Sequence, residues 1–429
     1  MTPRFLHVAA ADHGGAGRAA IRLHLAMAAR GVQSDMIVWD RRGDQDGVVP
    51  VADKTASSRL RRFVGRAWFR VASRRKYFFR DQRCSIAKST TIVDQAVALA
   101  PDLIVVHYVS DFLSFEDIAA LQTATGARIV WNLLDMAHLT GGCHYAWDCR
   151  GFEESCGDCP ALILSARNDA SRRTMMAKRR SLGHLDHVVV APSSGVEMQA
   201  RRSSLFKDAD IRRILIGIDP AEIPDIGREE ARQALGLPVR GTILFFGAQT
   251  FDDTRKGMSL LITALETVKR KIAESDELPL LLVAGGGEGS EQLDRLGFPT
   301  RRLGYVGMDK LARAYAAADF FLCPSIEDSG PMMVNEAIMA GTPTIAFPIG
   351  VVPDLVLNDR TGLIAPEPTA SALATAILQG LSWTTQQRIA ARRHCRSTAI
   401  ERCSLDAQVA QMLTLAPRSI AIRSADQTA

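Results

Sequence analysis

Asp328 and Glu336 are separated by seven residues within Ser-Ile-Glu-Asp-Ser-Gly-Pro-Met-Met-Val-Asn-Glu-Ala-Ile-Met-Ala-Gly-Thr-Pro-Thr-Ile-Ala-Phe, residues 325–347. The first acid lies in a turn rich in Ser, Gly and Pro. The second falls one to two turns into a helix. Pro331 suits the first helical position, where a missing N–H costs nothing. The first-turn amides of that helix then face a crevice and can bind a phosphate or sugar oxygen. Glu336 can read a ribose diol, because a carboxylate accepts two hydroxyl hydrogen bonds. Strands expected at 320–323 and 344–347 make this a β-turn-α-β unit, whose crevice lies at the strand carboxyl ends.

With its Gly-Pro turn and Glu-Ala-x-x-x-Gly-Thr-Pro context, the stretch resembles the donor-binding E-x7-E motif of retaining glycosyltransferases of family 4. Asp328 stands at the first acidic position, a conservative departure, and Glu327 just before it is a possible substitute. The resemblance implies the GT-B fold, in which two doubly wound Rossmann-like domains face across a cleft and a C-terminal helix returns to the first. It further implies that Asp328 holds the transferred sugar, Glu336 the nucleotide ribose, and Ser329, Gly330 and Pro331 the donor.

Arg255-Lys256-Gly257 opens a helix in the second half. Paired cations at a helix start oppose the dipole, and an anionic ligand would offset that cost. By the resemblance, Lys256 clamps the diphosphate leaving group. The further Arg that usually follows the preceding strand is Ala248 here, leaving Arg255 to supply the second charge. Near the N-terminus, Gly14-Gly15-Ala16-Gly17 separates the first strand from the first helix. Glycine lets backbone approach a ligand, and the helix amides favour an anion. The resemblance gives Gly15 and Gly17 a donor-binding role. The spacing is not G-x-G-x-x-G, which weighs against a nicotinamide cofactor.

Residues 131–160 carry Trp-Asn-Leu-Leu-Asp-Met-Ala-His-Leu-Thr-Gly-Gly-Cys-His-Tyr, followed by Cys149, Cys156 and Cys159. This resembles the signature of a colanic-acid and exopolysaccharide-type subgroup, which implies acceptor-side roles for Asp135, His138 and His144. The subgroup's usual His before that Asp is Leu134. Cys143, Cys149, Cys156 and Cys159 form a C-x5-C-x6-C-x2-C run, and a structural zinc pinning an irregular loop is one reading. Reduced free thiols are the other. Asp44-Gln-Asp46 and Asp208-Ala-Asp210 match a D-x-D metal motif but follow no buried strand, so no catalytic metal is expected.

Residues 54–88 hold twelve Lys or Arg against one Asp, interleaved with Phe63, Trp68, Phe69, Tyr77, Phe78 and Phe79. Such a segment can lie on an anionic membrane, at about 1 kcal/mol per cation near the surface. That would suit a lipid-linked saccharide acceptor. A solvated basic insertion is the competing reading, and nothing else supports nucleic acid.

These residues need scaffolds, and β and α segments alternate through both halves, implying two parallel, doubly wound sheets of an α/β protein. In the first half, strands are expected at 5–10, 35–39, 103–107, 129–133 and 188–191, the last closing the sheet. A helix is expected from about 18 to 30. The second half restarts with strands at 242–246, 280–284 and 301–305 and helices at 257–271 and 311–318. We expect an acceptor-side domain at 1–213, including the basic insertion 54–88 and a Cys-rich loop 141–160. A donor-binding domain follows at 214–395, then a returning helix at 396–416 and a disordered tail at 417–429. The 429 residues, 47% hydrophobic with net charge +5, suit a globular protein with two or three cores. Eight cysteines without an export signal fit a reducing cytoplasm, with peripheral placement at the inner face of its membrane.

By the resemblance, the expected activity is retaining, metal-independent hexosyl transfer from a nucleotide-diphosphate sugar to a saccharide in polysaccharide biosynthesis. The alternative is a catalytically impaired GT-B homologue that binds sugar nucleotides or acts as a scaffold. Leu134 and Ala248 keep it open.

Overall fold

In the computed structural model, the described residues are 2–52, 56–80, 82–83, 89–272, 277–286 and 291–416. The expected tail at 417–429 and parts of the basic insertion, 54–55, 81 and 84–88, lie outside them.

Seven strands build the first sheet: β1 (Phe5–Ala11), β2 (Ser34–Asp40), β3 (Val48–Pro50), β4 (Leu103–Val106), β5 (Arg128–Asn132), β6 (His187–Ala191) and β7 (Ile211–Arg213). Six build the second: β8 (Ile243–Thr250), β9 (Leu280–Gly286), β10 (Thr300–Gly304), β11 (Phe320–Cys323), β12 (Thr344–Ala346) and β13 (Gly362–Ile364). Every pairing is parallel, in the orders β3-β2-β1-β4-β5-β6-β7 and β10-β9-β8-β11-β12-β13. The central strands are unbroken apolar runs, Leu-Ile-Val-Val in β4 and Phe-Phe-Leu-Cys in β11, buried throughout. Strands covered by helices on both faces need that composition. These are the two doubly wound parallel sheets that the alternation predicts.

In each sheet the strand order reverses once, between β1 and β4 and between β8 and β11. At such a switch point the following connections leave in opposite directions and open a crevice at the strand carboxyl ends. The loops after β8 and β11 carry Lys256 and Asp328.

Contacts divide the chain into two units. One comprises Met1–Pro192, Val196–Ile214 and Gln408 onward; the other comprises Ser193–Gly195 and Leu215–Ala407. The first has a core around Trp131, Phe112 and Phe206. The segment from Gln408 adds buried Val409, Met412 and Leu415 to it, and Arg128 donates to the Leu415 carbonyl at 3.2 Å. The second unit has a core on each sheet face, around Phe245 and Tyr315 and around Phe320 and Trp383. Among its buried charges is Asp319, which accepts from Arg228 and Arg232, each at 2.7 Å, and from the Ile243 amide at 2.8 Å. The Arg232 side chain is 0% exposed. A buried carboxylate is tolerable only when paired and hydrogen-bonded in this way.

Several local expectations change. The first helix runs Gly14–Ala29, so the glycines form its opening turn rather than a loop before it. β6 does not close the first sheet, because β7 lies beyond it. Pro331 is the N-cap of the Met332–Met339 helix, with extended ψ of 100°, and not its first helical residue. Among the described residues, no helix is long and apolar enough to cross a membrane.

Candidate functional site

The loop after β8 turns through a short 3-10 segment, Thr254–Lys256, before the Met258–Lys271 helix begins. Asp253 caps that segment by accepting from the Arg255 amide at 3.1 Å. Gly257 ends it with φ of +66°, and a Cβ there would stand 1.9 Å from the Pro324 carbonyl oxygen. Only glycine fits, so the Arg-Lys-Gly order locks the loop against the strand end of β11.

That close approach brings Lys256 to Asp328. Lys256 Nζ donates to Asp328 Oδ2 at 2.6 Å, and the Gly330 amide donates to the other carboxylate oxygen at 3.1 Å. Burial, the largest influence on the ammonium, works against its charge. The Asp328 carboxylate more than offsets it, and the Lys256 pKa ends above the usual lysine range. Arg255 lies next to Lys256 but directs its guanidinium to Asp253, with its Nε 3.1 Å from Oδ1.

Glu336 is buried on the Met332–Met339 helix, and its Oε2 accepts from the Tyr315 hydroxyl at 2.9 Å. Tyr315 is itself fully buried. Burial first, then the Glu336 carboxylate, push its phenol well above the ordinary range, so it stays a donor. The intervening turn is held from another direction. Ser193 Oγ donates to the Ser329 carbonyl at 2.6 Å, and Asp354 accepts from the Ser194 amide at 2.7 Å. Gly350, with φ of +57°, lets backbone pass within 2.9 Å of the Asp328 carbonyl where a Cβ would stand. Glu327 and Pro331 flank this turn, with Glu327 half-buried and Pro331 buried. The structure thus brings Lys256, Asp328, Ser329 and Gly330 together on one crevice, with Glu336 on the helix leaving it.

Tyr315, Ser193 and Asp253 escaped the sequence reading. Tyr315 had one signal, a single aromatic hydroxyl in the otherwise small Ala-Arg-Ala-Tyr-Ala-Ala-Ala run. Ser193 had another, the Pro-Ser-Ser-Gly that follows β6. Asp253 had none beyond its place before a turn.

In the first unit, Gly15 and Gly17 lie in the opening turn of the Gly14–Ala29 helix. A Cβ at Gly17 would meet the Ala11 carbonyl at 2.7 Å, whereas one at Gly15 would meet nothing. Gly17 is therefore required by packing of helix on strand, and the backbone at Gly15 is the open one. Asp135 accepts from His144 Nδ1 at 2.8 Å and from the Ala137 amide at 2.7 Å. Burial works against the Asp135 charge, but His144 and these hydrogen bonds prevail and hold its pKa below the usual value. His138 is packed against Trp131 and Phe115, and both ring nitrogens lack a partner among the described residues. Burial brings its pKa down to about 3, so the ring is neutral.

The Thr-Gly-Gly of the signature is a structural turn. A Cβ at Gly141 would stand 2.2 Å from the Ser171 carbonyl oxygen, and one at Gly142 2.4 Å from that of Arg80. Buried Lys178 donates to the carbonyls of Ala137 and Thr140 at 2.5 and 2.8 Å.

The zinc reading does not fit. Cys149, Cys156 and Cys159 are near enough to Cys143 to oppose its ionisation. Yet no group of three or more His, Cys, Asp or Glu among the described residues is set to hold a metal. Cys143 and Cys159 instead pack into an apolar cluster with Tyr77, Phe79 and Leu162. Burial raises both thiols, and pushes Cys156 up to about 12. All seven described cysteines are free thiols.

Two parallel doubly wound sheets with an acid and a lysine meeting at the second switch point define the GT-B fold class. The fold matches solved GT-B structures along nearly the whole chain. One is sucrose-phosphate synthase from Thermosynechococcus elongatus, with TM-score 0.66 and 18% identity, covering 98% of this chain and 100% of that one. Another is Anabaena Alr3699/HepE in complex with UDP and glucose, with TM-score 0.63 and 14% identity, covering 96% and 99%. In sequence, residues 240–382 match the family model described as glycosyl transferases group 1. The chain is 29% identical to a D-inositol 3-phosphate glycosyltransferase of Saccharomonospora viridis, over 51% of this chain and 54% of that protein. It is 34% identical to a phosphatidyl-myo-inositol mannosyltransferase of Mycobacterium leprae, over 38% and 44%. The chain spans about half the length of the curated relatives it matches.

Proposed function

We propose that this protein is a retaining glycosyltransferase that moves a hexose from a nucleotide-diphosphate sugar to a saccharide acceptor. The observation that carries the reading is the Lys256–Asp328 pair at the β8/β11 switch point, with buried Glu336 one helix away. Breaking a sugar–phosphate bond leaves oxocarbenium-like positive charge on the sugar and negative charge on the diphosphate. Catalysis then needs fixed cations and amides where the leaving charge appears. Lys256 is such a cation, and the Gly330 amide such a donor. Asp328, positioned by both, takes sugar hydroxyls, and Glu336, oriented by Tyr315, takes the ribose diol. Arg255, ion-paired with Asp253, adds no net charge to the same loop, so Lys256 is its active cation. Glu327, Ser329 and Pro331 shape the donor turn. In the other unit, the helix amides around Gly15 and Gly17 favour an anion, and Asp135, His138 and His144 serve the acceptor.

In the retaining course, the acceptor hydroxyl attacks on the face from which the diphosphate leaves, and its proton passes to a departing phosphate oxygen. No side-chain nucleophile and no catalytic metal are needed. A UDP-bound neighbour supports a nucleotide donor, and relatives named for inositol phosphate and phosphatidylinositol support a polar-headed acceptor. We assign a lipid-linked acceptor in polysaccharide assembly, met at an anionic membrane surface. Supporting this, the Ala56–Ala72 helix exposes Phe63 (70%) and Val71 (76%) beside exposed Arg70.

The test is a panel of labelled sugar nucleotides with lipid-linked acceptor extracts. Transfer from at least one donor, lost in Glu336→Ala and Lys256→Ala, supports the reading. Nucleotide binding with no transfer from any donor favours a catalytically impaired scaffold instead.

A further inference from the structure

A cavity in the Leu215–Ala407 unit, about 810 Å³ in volume, lies at the opposite end of the sheet from Lys256 and Asp328. Thr242, which lines it, directly precedes β8, and Gly341 stands three residues before β12. The Lys256 loop follows the far end of β8, eight residues on, or about 26 Å at ~3.3 Å per residue.

Six arginines line this cavity, Arg228, Arg240, Arg388, Arg392, Arg393 and Arg396, against two carboxylates, Asp225 and Glu229. Four of the six are anchored. Arg228 donates to Asp319 at 2.7 Å, and Arg388 to Thr242 Oγ1 and the Leu381 carbonyl, both at 3.0 Å. Arg392 donates to the Ala316 carbonyl at 3.1 Å, and Arg396 to those of Ile223 and Met339 at 2.5 and 2.6 Å. Carbonyls fix Arg392 and Arg396 without neutralising them, whereas Arg228 and Arg388 share the Asp319 carboxylate, at 2.7 and 3.5 Å. Capping of helix carboxyl ends accounts for Arg392 and Arg396. It does not account for Arg240 and Arg393, which are exposed and have no hydrogen-bond or ion-pair partner among the described residues. Burial lowers the pKa of Arg392 and Arg396, and Arg228 adds to the effect at Arg392, so this group of cations is held together at a cost.

We propose that this arginine-lined cavity binds a small soluble anion with two adjacent phosphates, at a site separate from the Lys256 crevice. The volume is that of a small-molecule pocket. Guanidinium forks grip phosphate oxygens in pairs, and the exposed forks of Arg240 and Arg393 supply them, while the anchored arginines, their N–H groups given to protein oxygens, contribute positive charge to the walls. The excess of four cations over carboxylates on its walls matches a diphosphate better than a single phosphate.

Calorimetric titration of the full chain with pyrophosphate, and with orthophosphate for comparison, tests this. Pyrophosphate binding is expected to survive in Lys256→Ala and to weaken about tenfold or more in Arg240→Ala/Arg393→Ala, with orthophosphate about tenfold weaker than pyrophosphate on the wild type. Both substituted arginines are exposed, so the double variant is expected to keep the wild-type Tm, and Arg393→Glu gives a second, charge-reversed measurement. The proposal is overturned by loss of all pyrophosphate binding in Lys256→Ala, by unchanged affinity in the arginine variants, or by equal affinity for the two anions. Failure of the glycosyltransferase reading looks different: no sugar transfer from any donor, while the arginine variants still lose pyrophosphate.

Discussion

In the proposed reaction Lys256 and Glu336 divide the work of holding a donor between charge and hydrogen bonding, and the two should fail differently. Removing a preorganised donor to a developing oxyanion costs about 10²–10³ in kcat. Lys256→Ala is therefore expected to lose that much in steady-state turnover with its fold intact. Glu336→Ala removes charge-assisted hydrogen bonds of about 1.5–3 kcal/mol and is expected to raise the donor KM about tenfold to hundredfold. Tyr315→Phe leaves the carboxylate in place but unsteadied, so a smaller rise in KM with a stability loss of about 1–3 kcal/mol is expected on thermal unfolding. The Lys256 pKa is raised, so the stability it contributes is fully present below the unfolded value and is lost as pH rises through the folded one. The Tm difference between wild type and Lys256→Met should hold from neutral pH to about pH 10 and shrink above it. A difference that vanishes between about pH 7 and pH 9 would contradict the pairing.

Tight turns at strand ends place these side chains, and the turns rest on glycines with no alternative. Gly257→Ala forces a Cβ to 1.9 Å from the Pro324 carbonyl at positive φ. A stability loss of about 1–3 kcal/mol is expected, together with a loss of turnover, because the loop must move Lys256 away from Asp328. Wild-type Tm and activity in this variant would show that the loop is not so constrained. Element by element, long buried runs such as Val188–Val190 and Phe320–Leu322 were legible, because burial on both faces dictates their composition. The three-residue strands β3, β7 and β13 were not, since edge positions relax the apolar requirement, whereas β12, equally short but interior and fully buried, was. The helix at Gly14–Ala29 began four residues early because glycines read as a turn, while the structure admits them to a helix that must approach β1 closely. Of the candidate site, Asp328 and Glu336 stood out by type and spacing and Lys256 by the family resemblance, and the structure brings Lys256 and Asp328 together. Tyr315 and Ser193 did not stand out, since they act through tertiary contacts from 21 and 136 residues away.

Across the whole molecule, stability rests on a few deeply buried features of each unit. Asp319 is held by Arg232 and Arg228, and Arg232→Met would leave part of that buried charge uncompensated. A loss of about 3–5 kcal/mol is expected by chemical denaturation. The Cys-rich loop is expected to behave as packed thiols, so a metal chelator should leave the Tm unchanged. A drop of several degrees would restore a metal. Both expectations concern the scaffold, whereas the proposed function turns on where the donor diphosphate sits. A crystal structure of the protein with a nucleotide-diphosphate sugar that it turns over measures this most directly. The expected result is a diphosphate oxygen within hydrogen-bond distance of Lys256 Nζ and the ribose hydroxyls on Glu336. A nucleotide bound with its diphosphate away from both residues would contradict the account.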